Sequence, residues 1–181
     1  LARFSQRLTG YAQPQVRAVA TQTLREARNR DAFLARAQPV LGYPIEVISG
    51  REEARLIYAG VARLQPSNVP RLVIDIGGRS TELILGKGTT PLVMESFRVG
   101  SIAWSNRYFP DGQFTKKSFA IAEIAAKAVL DEALDAYHPS LWDTAYGSAG
   151  TVGAIADVLV AAGWPAGVVT QDGLDWLLDK L

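Results

Sequence analysis

The chain has 181 residues, of which 48% are hydrophobic and 20% are charged, a composition typical of a globular protein with a packed core. Its 19 basic and 18 acidic residues leave a net charge of +1, which argues against a broadly basic surface for nucleic acid. The lack of cysteine excludes disulfides and thiolate metal sites, and the single histidine excludes an imidazole cluster for zinc. No uncharged apolar run approaches the roughly 20 residues of a membrane span, and we interpret the protein as cytoplasmic.

The first third of the chain predicts short strands that alternate with helices. Apolar residues at helical spacing precede Gly10 and indicate the tail of a helix. Ser49 is a candidate N-cap of a longer helix with acidic residues in its first turn. We predict helices at 1–8, 24–28, 31–41 and 50–64, and strands at 16–20 and 44–48.

The segment 65–70 contains two prolines, a serine and an asparagine, and it is the strongest linker signal in the chain. We place a domain boundary there, so that residues 1–66 form one domain and residues 67–181 another. After the linker, strands are predicted at 72–75, 81–85 and 92–97, where glycine-bearing turns suggest an antiparallel meander. Helices are then predicted at 101–108, 116–137, 151–160 and 170–181, with a strand at 142–146.

The turn between the first two of these strands carries the most informative pattern, Asp75-Ile-Gly-Gly-Arg-Ser-Thr-Glu82. Glycines let backbone N–H groups approach an anion closely, and carboxylates are the ligands that Mg²⁺ prefers. We therefore predict a phosphate-binding loop formed by Gly77, Gly78, Arg79, Ser80 and Thr81, with Asp75 and Glu82 as metal ligands. The alternative is a hairpin turn in which Asp75 caps its own loop and Glu82 is solvated.

A second glycine turn lies between a predicted strand and a predicted helix. Its backbone amides and the N-terminus of the helix are suited to a second set of phosphate oxygens. The candidate residues are Gly147, Ser148, Gly150 and Thr151. Alternatively, Gly150 only turns the chain and Thr151 only caps the helix. Two such loops in one domain favour an anion clamp.

Two charged residues before the linker are candidates for phosphoryl chemistry. Glu53 stands near the start of the helix after Ser49, where a carboxylate can activate the attacking water. Arg25 follows the first strand, where its guanidinium can neutralise a phosphoryl group. The alternatives are that Glu52 and Glu53 only favour the helix dipole and that Arg25 is a solvated surface residue.

Four segments occur in the order seen in the exopolyphosphatase and guanosine pentaphosphate phosphatase family, Ppx/GppA, which the chain resembles. They are ATQTLR at 20–25, ISGREEARLI at 48–57, VIDIGGRSTE at 73–82 and GSAGT at 147–151. The sequence RVGS at 98–101 also resembles the family's connection from a strand of the second domain into its helix. The resemblance extends through nearly the whole chain.

The resemblance implies an α/β fold of the actin-like ATPase superfold, with ribonuclease-H-like domains and phosphate chemistry in the cleft between them. It implies that Glu53 is the catalytic glutamate, that Arg25 is a cleft arginine that clamps charge, and that Asp75 and Glu82 hold magnesium. One position departs from the family pattern, because Arg79 stands where the family usually has a third glycine. Its side chain either narrows the loop or adds a cation beside the substrate, and we favour the second interpretation.

The family also has N-terminal strands of the first domain and, in long forms, C-terminal helical domains that this sequence does not include. We therefore expect a fragment that contains the end of the first domain and most of the second. We expect such a fragment to be inactive by itself, because its first domain would expose sheet edges and apolar helix faces.

The expected activity of the parent protein is hydrolysis of the terminal phosphoanhydride bond of inorganic polyphosphate with Mg²⁺. Guanosine pentaphosphate is the rival substrate, because the chemistry at its terminal phosphate is the same. Two alternatives belong to other classes, an ATP-dependent kinase of the same superfold and a noncatalytic phosphate-binding module. We expect neither nucleic acid nor a membrane as a partner, and we consider a homodimer.

Overall fold

The computed structural model describes residues 1–181 and contains α-helices and β-strands throughout. The chain divides into two compact units, Leu1–Glu53 and Ala54–Leu181. None of its helices combines the length and the apolar character that crossing a membrane requires.

The first unit is built on two short parallel strands with helices between them. Strand β1 (Ala18–Ala20) pairs with β2 (Ile45–Val47), and helices α2 (Gln22–Glu26) and α3 (Arg30–Leu41) connect them. A parallel pair needs such a crossover connection, because a tight turn can join only antiparallel strands. Helix α1 (Ala2–Arg7) and a 3₁₀ turn (Gln13–Gln15) precede β1. The predicted strands and helices of this region are confirmed, with small shifts at their ends.

The second unit contains a four-stranded mixed sheet with the strand order β5-β4-β3-β6. Its strands are β3 (Pro70–Ile76), β4 (Thr81–Lys87), β5 (Thr90–Phe97) and β6 (Thr144–Ser148). The predicted antiparallel meander of the first three strands is confirmed, and β6 adds to the free edge of β3 in parallel. Its helices are α5 (Ser101–Tyr108), α6 (Lys116–Leu130), α7 (Ala149–Ala161), α8 (Gln171–Lys180) and, from Ala54 onward, α4 (Gly50–Leu64).

One face of this sheet packs against α4. Ala54, Tyr58 and Ala62, spaced by four residues, form a buried stripe along the helix and contact Val73 and Ile84 on the sheet. The small alanines let the helix approach the strands closely. This contact places the part of α4 that follows Glu53 in the second unit.

The division between the units therefore falls inside α4, whereas the sequence suggested a boundary at residues 66 and 67. The segment 65–70 is a turn within the second unit, and buried Arg71 donates hydrogen bonds to the carbonyl oxygens of Gln65 and Ser67. Proline and serine mark a turn in a sequence, but they do not show which of the two flanking elements shares a core. The apolar stripe on α4 decides the boundary instead.

The opposite face of the sheet is covered by the end of α6 and the residues that follow it. Leu72, Leu85 and Phe97 pack there against Ala133 and Tyr137. The sequence predicted one helix over 116–137, but α6 ends at Leu130 and a 3₁₀ turn (Asp131–Ala133) follows. The tighter turn accompanies the burial of Ala133 and Tyr137 against the strands, where the Tyr137 hydroxyl donates to the Leu83 carbonyl oxygen at 2.9 Å.

Because of Tyr137, the stability of this face decreases at alkaline pH. Burial raises the pKa of Tyr137 above its ordinary value, and the charge of Glu95 raises this pKa further. A raised folded-state pKa means that the stabilisation is complete below the unfolded pKa of about 10 and is lost as the pH rises above it.

We therefore expect Tyr137→Phe to lower the free energy of unfolding by about 1 kcal/mol at neutral pH, because the Leu83 carbonyl loses its donor. The difference in stability between wild type and variant should shrink above about pH 10. At that pH the Tyr137 phenol is ionised in the unfolded chain, and folding of the wild type requires it to be protonated. Urea unfolding across the pH range measures both effects. Tyr11→Phe changes an exposed ring and serves as the control. A difference that stays constant with pH would contradict this account.

Candidate functional site

A row of four polar residues crosses the sheet of the second unit near the end of β3. Asp75 is paired with Glu82 on β4 and with Ser148 on β6, and Glu82 is paired with Ser96 on β5. Directly paired residues project from the same face of a sheet, and Asp75 shares its face with Val73, which packs against α4. Asp75 and Glu82 therefore lie side by side on the face that α4 covers.

The two carboxylates have the donor chemistry of a magnesium site. Asp75 is 9% exposed and Glu82 is 1% exposed, and Glu82 Oε1 accepts a hydrogen bond from Ser96 Oγ at 2.7 Å. The structure contains no group of three or more His, Cys, Asp or Glu side chains able to hold a metal. Mg²⁺ does not require such a cage, because it commonly binds through one or two carboxylates together with water and substrate phosphates. The pair therefore fits that ion.

The first glycine loop connects β3 to β4 over residues 77–80. The Gly77 N–H donates to the Ser80 carbonyl oxygen at 2.9 Å, so it closes the turn and does not point outward at an oxyanion as the sequence suggested. Thr81 is buried, and its hydroxyl donates to the Val99 carbonyl oxygen at 2.7 Å. The hydroxyl of Thr81 thus fastens the loop to the segment that precedes α5.

Helix α5 also contacts this loop, through the N–H groups of its first turn. Ser101 N–H donates to the Gly77 carbonyl oxygen at 3.0 Å, and Ala103 N–H donates to the Gly78 carbonyl oxygen at 2.9 Å. All peptide bonds are trans, so the N–H of each peptide points opposite to its carbonyl. The N–H groups of Gly78 and Arg79 therefore point away from α5, and they replace Gly77 N–H as the candidate anion donors.

Gly100 lies directly against the backbone of Arg79. A Cβ atom added at Gly100 would stand 2.4 Å from Arg79 N and 2.5 Å from its Cα, so the backbone would have to shift to admit one. Arg79 itself is exposed. The Arg79 side chain is therefore accessible at the surface and does not fill the turn.

The second glycine loop joins β6 to α7. Ser148 precedes the helix in an extended conformation, and Ala149 has a φ of +67°, a left-handed conformation that costs an L-residue about 1–2 kcal/mol. A Cβ atom at Gly147 would lie 2.3 Å from Val152 Cγ1, whereas one at Gly150 would meet nothing within 4 Å. Strain of this kind clusters at ligand-binding turns, and the Gly150 end of the loop is open to an approaching group.

The pairing of β6 with β3 brings the two glycine loops together. Both strands run in the same direction, and Ser148 is opposite Asp75, so both loops leave the sheet at the same edge. Thr151 Oγ1 donates to Ser101 Oγ at 3.2 Å, and Ser101 in turn contacts the first loop. The two predicted phosphate loops are therefore neighbours within the second unit.

The first unit places the other two predicted residues in direct contact. Arg25 Nη1 donates to Glu53 Oε2 at 2.8 Å and to the Ile48 carbonyl oxygen at 2.9 Å, while Nε and Nη2 donate to Gln22 Oε1 at 2.9 and 2.6 Å. The side chains of Arg25 and Glu53 are 19% and 16% exposed. Arg25 is thus a partner of Glu53 and is not a solvated surface residue.

The neighbouring acid, Glu52, has a different environment. Its carboxylate binds Arg17 at 2.9 Å, and its N–H donates to Ser49 Oγ at 3.1 Å, which confirms Ser49 as the helix cap. Glu52 therefore contributes to the start of α4, whereas Glu53 belongs to the partly buried cluster around Arg25.

A model of the Ppx/GppA phosphatase family matches residues 1–181. The chain belongs to this family. An exopolyphosphatase-like protein of known structure superposes with a TM-score of 0.77 at 28% identity, covering 88% of this chain and 51% of that one. The Aquifex aeolicus member of the Ppx/GppA family superposes with a TM-score of 0.73 at 26% identity, covering 99% of this chain and 59% of that one.

An exopolyphosphatase from Cytophaga hutchinsonii has a TM-score of 0.67 at 24% identity, over 81% of this chain and 47% of that one, and shows the fold alone. The chain spans about half the length of the solved structures that it matches. The predicted α/β class and the resemblance to the Ppx/GppA family are confirmed.

Three polar residues were absent from the predicted site, although Gln22 and Ser101 lie within segments that resemble the Ppx/GppA family. Ser96 reaches Glu82 from the adjacent strand, Ser101 contacts both glycine loops, and Gln22 holds Arg25. Only Gln22 carried a local signal, since it lies one helical turn before Arg25 and before Glu26, whose Oε1 accepts from Gln22 Nε2. The contacts of Ser96 and Ser101 arise from strand pairing and helix docking, which sequence spacing does not show.

The tight contact at Gly100 predicts that Gly100→Ala destabilises the protein by about 1–3 kcal/mol, because the Arg79 backbone must move. Urea denaturation measures the loss. Gly60→Ala is the matched control, since Gly60 is exposed within α4 and a Cβ there meets nothing. That change should stabilise by about 0.5–1 kcal/mol. A Gly100→Ala protein as stable as wild type would refute the close approach.

Proposed function

We propose that the protein hydrolyses the terminal phosphoanhydride bond of inorganic polyphosphate and releases orthophosphate. Water attacks the terminal phosphorus, the bond between that phosphorus and the bridging oxygen breaks, and the shortened chain leaves with the bridging oxygen. The observation that carries the proposal is the placement of two glycine loops at one sheet edge beside the paired Asp75 and Glu82. Membership of a phosphatase family supports it.

The terminal phosphates would be held mainly by backbone donors. The N–H groups of Gly78 and Arg79 point away from α5, and the N-terminus of α7 offers unpaired N–H groups and a positive helix dipole. The Ser148 hydroxyl lies at the same helix terminus and extends this set of donors, whereas the Thr151 hydroxyl donates to Ser101 and leaves only its backbone N–H for a phosphate. The exposed guanidinium of Arg79 adds positive charge at the rim of the first loop.

Asp75 and Glu82 would hold Mg²⁺, which when bound neutralises charge on the phosphate oxygens. Ser96 keeps the Glu82 carboxylate in one orientation through its hydrogen bond. Because both acids are almost fully buried, a bound cation would also compensate two adjacent negative charges.

Glu53 is the proposed general base, which accepts the proton of the attacking water. Its bond to Arg25 fixes the orientation of the carboxylate, and Gln22 and the Ile48 carbonyl fix Arg25 in turn. Arg25 therefore acts as a positioning residue for Glu53, which differs from the charge clamp suggested by the sequence. Precise orientation matters, because phosphoryl transfer is accelerated mainly by positioning and charge neutralisation.

The first test is Glu53→Gln in the full-length protein, with orthophosphate release from polyphosphate as the measurement. We expect kcat to fall by about 10²- to 10⁴-fold, the usual contribution of a general base. Glu52→Gln is the control, because Glu52 pairs with Arg17, and it should leave kcat within about twofold of wild type. Wild-type release by a folded Glu53→Gln protein would exclude the assigned base. Release from guanosine pentaphosphate, measured in parallel, separates the two substrates.

The second test concerns the metal. Asp75→Asn should raise the Mg²⁺ concentration for half-maximal activity by about tenfold or more, because one of two ligands loses its charge. Asp143→Asn, a change at an exposed aspartate, is the control and should not alter the magnesium dependence. An unchanged magnesium requirement in the folded Asp75→Asn protein would contradict the assignment of this carboxylate.

A further inference from the structure

Ser101, the first residue of α5, contacts both glycine loops. Its N–H donates to the Gly77 carbonyl oxygen at 3.0 Å, and its hydroxyl lies 3.4 Å from the same oxygen. Thr151 Oγ1 donates to Ser101 Oγ at 3.2 Å from the second loop. Ser101 is half-buried, so these bonds are partly shielded from competition by water.

The two attachments of Ser101 differ in character. A distance of 3.4 Å is long for a hydroxyl donor, so the link to the first loop rests mainly on the backbone N–H groups of Ser101 and Ala103. The link to the second loop depends on the Ser101 hydroxyl, because Thr151 donates to it directly. Removing this hydroxyl would break the bond between α5 and the second loop, whereas the first loop would stay bound to α5.

We infer that Ser101 is a positioning residue that holds the two anion-binding loops at a fixed spacing, an inference that rests on the proposed function. The backbone of α5 directs the Gly78 and Arg79 N–H groups, and the Ser101 hydroxyl ties Thr151 to the same helix end. The backbone donors of the two loops then keep a constant distance from each other when a polyphosphate chain binds to both. Small changes in this distance impair phosphoryl transfer, because the reacting atoms must be placed accurately.

A double-mutant cycle in the full-length protein tests the link. Ser101→Ala and Thr151→Val each remove one hydroxyl of the pair, and each should raise KM for polyphosphate about fivefold. If the two hydroxyls act through each other, the double variant should show about the same fivefold rise and not the product of about 25-fold. Ser101→Thr keeps a hydroxyl and should stay within about twofold of wild type.

Ser105→Ala is the matched control, since Ser105 is an exposed serine on the same helix, and its KM should equal that of wild type. A 25-fold rise in the double variant, or a wild-type KM for Ser101→Ala, would overturn the inference.

Amide hydrogen exchange provides a readout that does not depend on activity. If the full-length wild type releases no orthophosphate, the proposed function fails, and exchange of the second loop, residues 147–152, then decides whether the loops are coupled. Faster exchange in both Ser101→Ala and Thr151→Val than in Ser105→Ala supports the coupling. Equal exchange in all three variants would overturn it.

Discussion

The hydrogen-bonded register of strand β3 with its two neighbours is the constraint on which the second unit depends. Asp75 stands between Glu82 on one side and Ser148 on the other, and this row brings both glycine loops to one edge of the sheet. A slip of one residue would move Asp75 to the opposite face, among the apolar residues that pack against Tyr137. The paired carboxylates and the adjacent loops are thus consequences of one register.

Helix α5 then decides which backbone groups of the first loop are available to a ligand. Its first-turn N–H groups have no partner within the helix, and they bind the carbonyl oxygens of Gly77 and Gly78. The same bonds turn the N–H groups of Gly78 and Arg79 to the other side. Gly100 makes this docking possible, because any side chain there would collide with the Arg79 backbone. The geometry of the first glycine loop therefore depends on the docking of α5.

In the first unit, two adjacent acids that look equivalent in the sequence have different ion-pair partners. Glu52 binds Arg17, and Glu53 binds Arg25 within a cluster that includes Gln22. Partial burial strengthens the second pair relative to an exposed ion pair, since water screens it less. The catalytic role of Glu53 is our proposal, and the geometry supports it by holding this carboxylate in one orientation.

The sequence by itself determined the features that depend on local pattern. Strand candidates separated by glycine-bearing turns predicted the meander of β3, β4 and β5, and the glycine turns predicted both candidate loops. The four ordered motifs, together with the family that they resemble, indicated the fold. Only tertiary structure decided that β6 joins β3 in parallel, that α4 belongs largely to the second unit and that Ser101 connects the loops. These features arise between residues far apart in the chain, so no local spacing encodes them, and they form only when the elements pack.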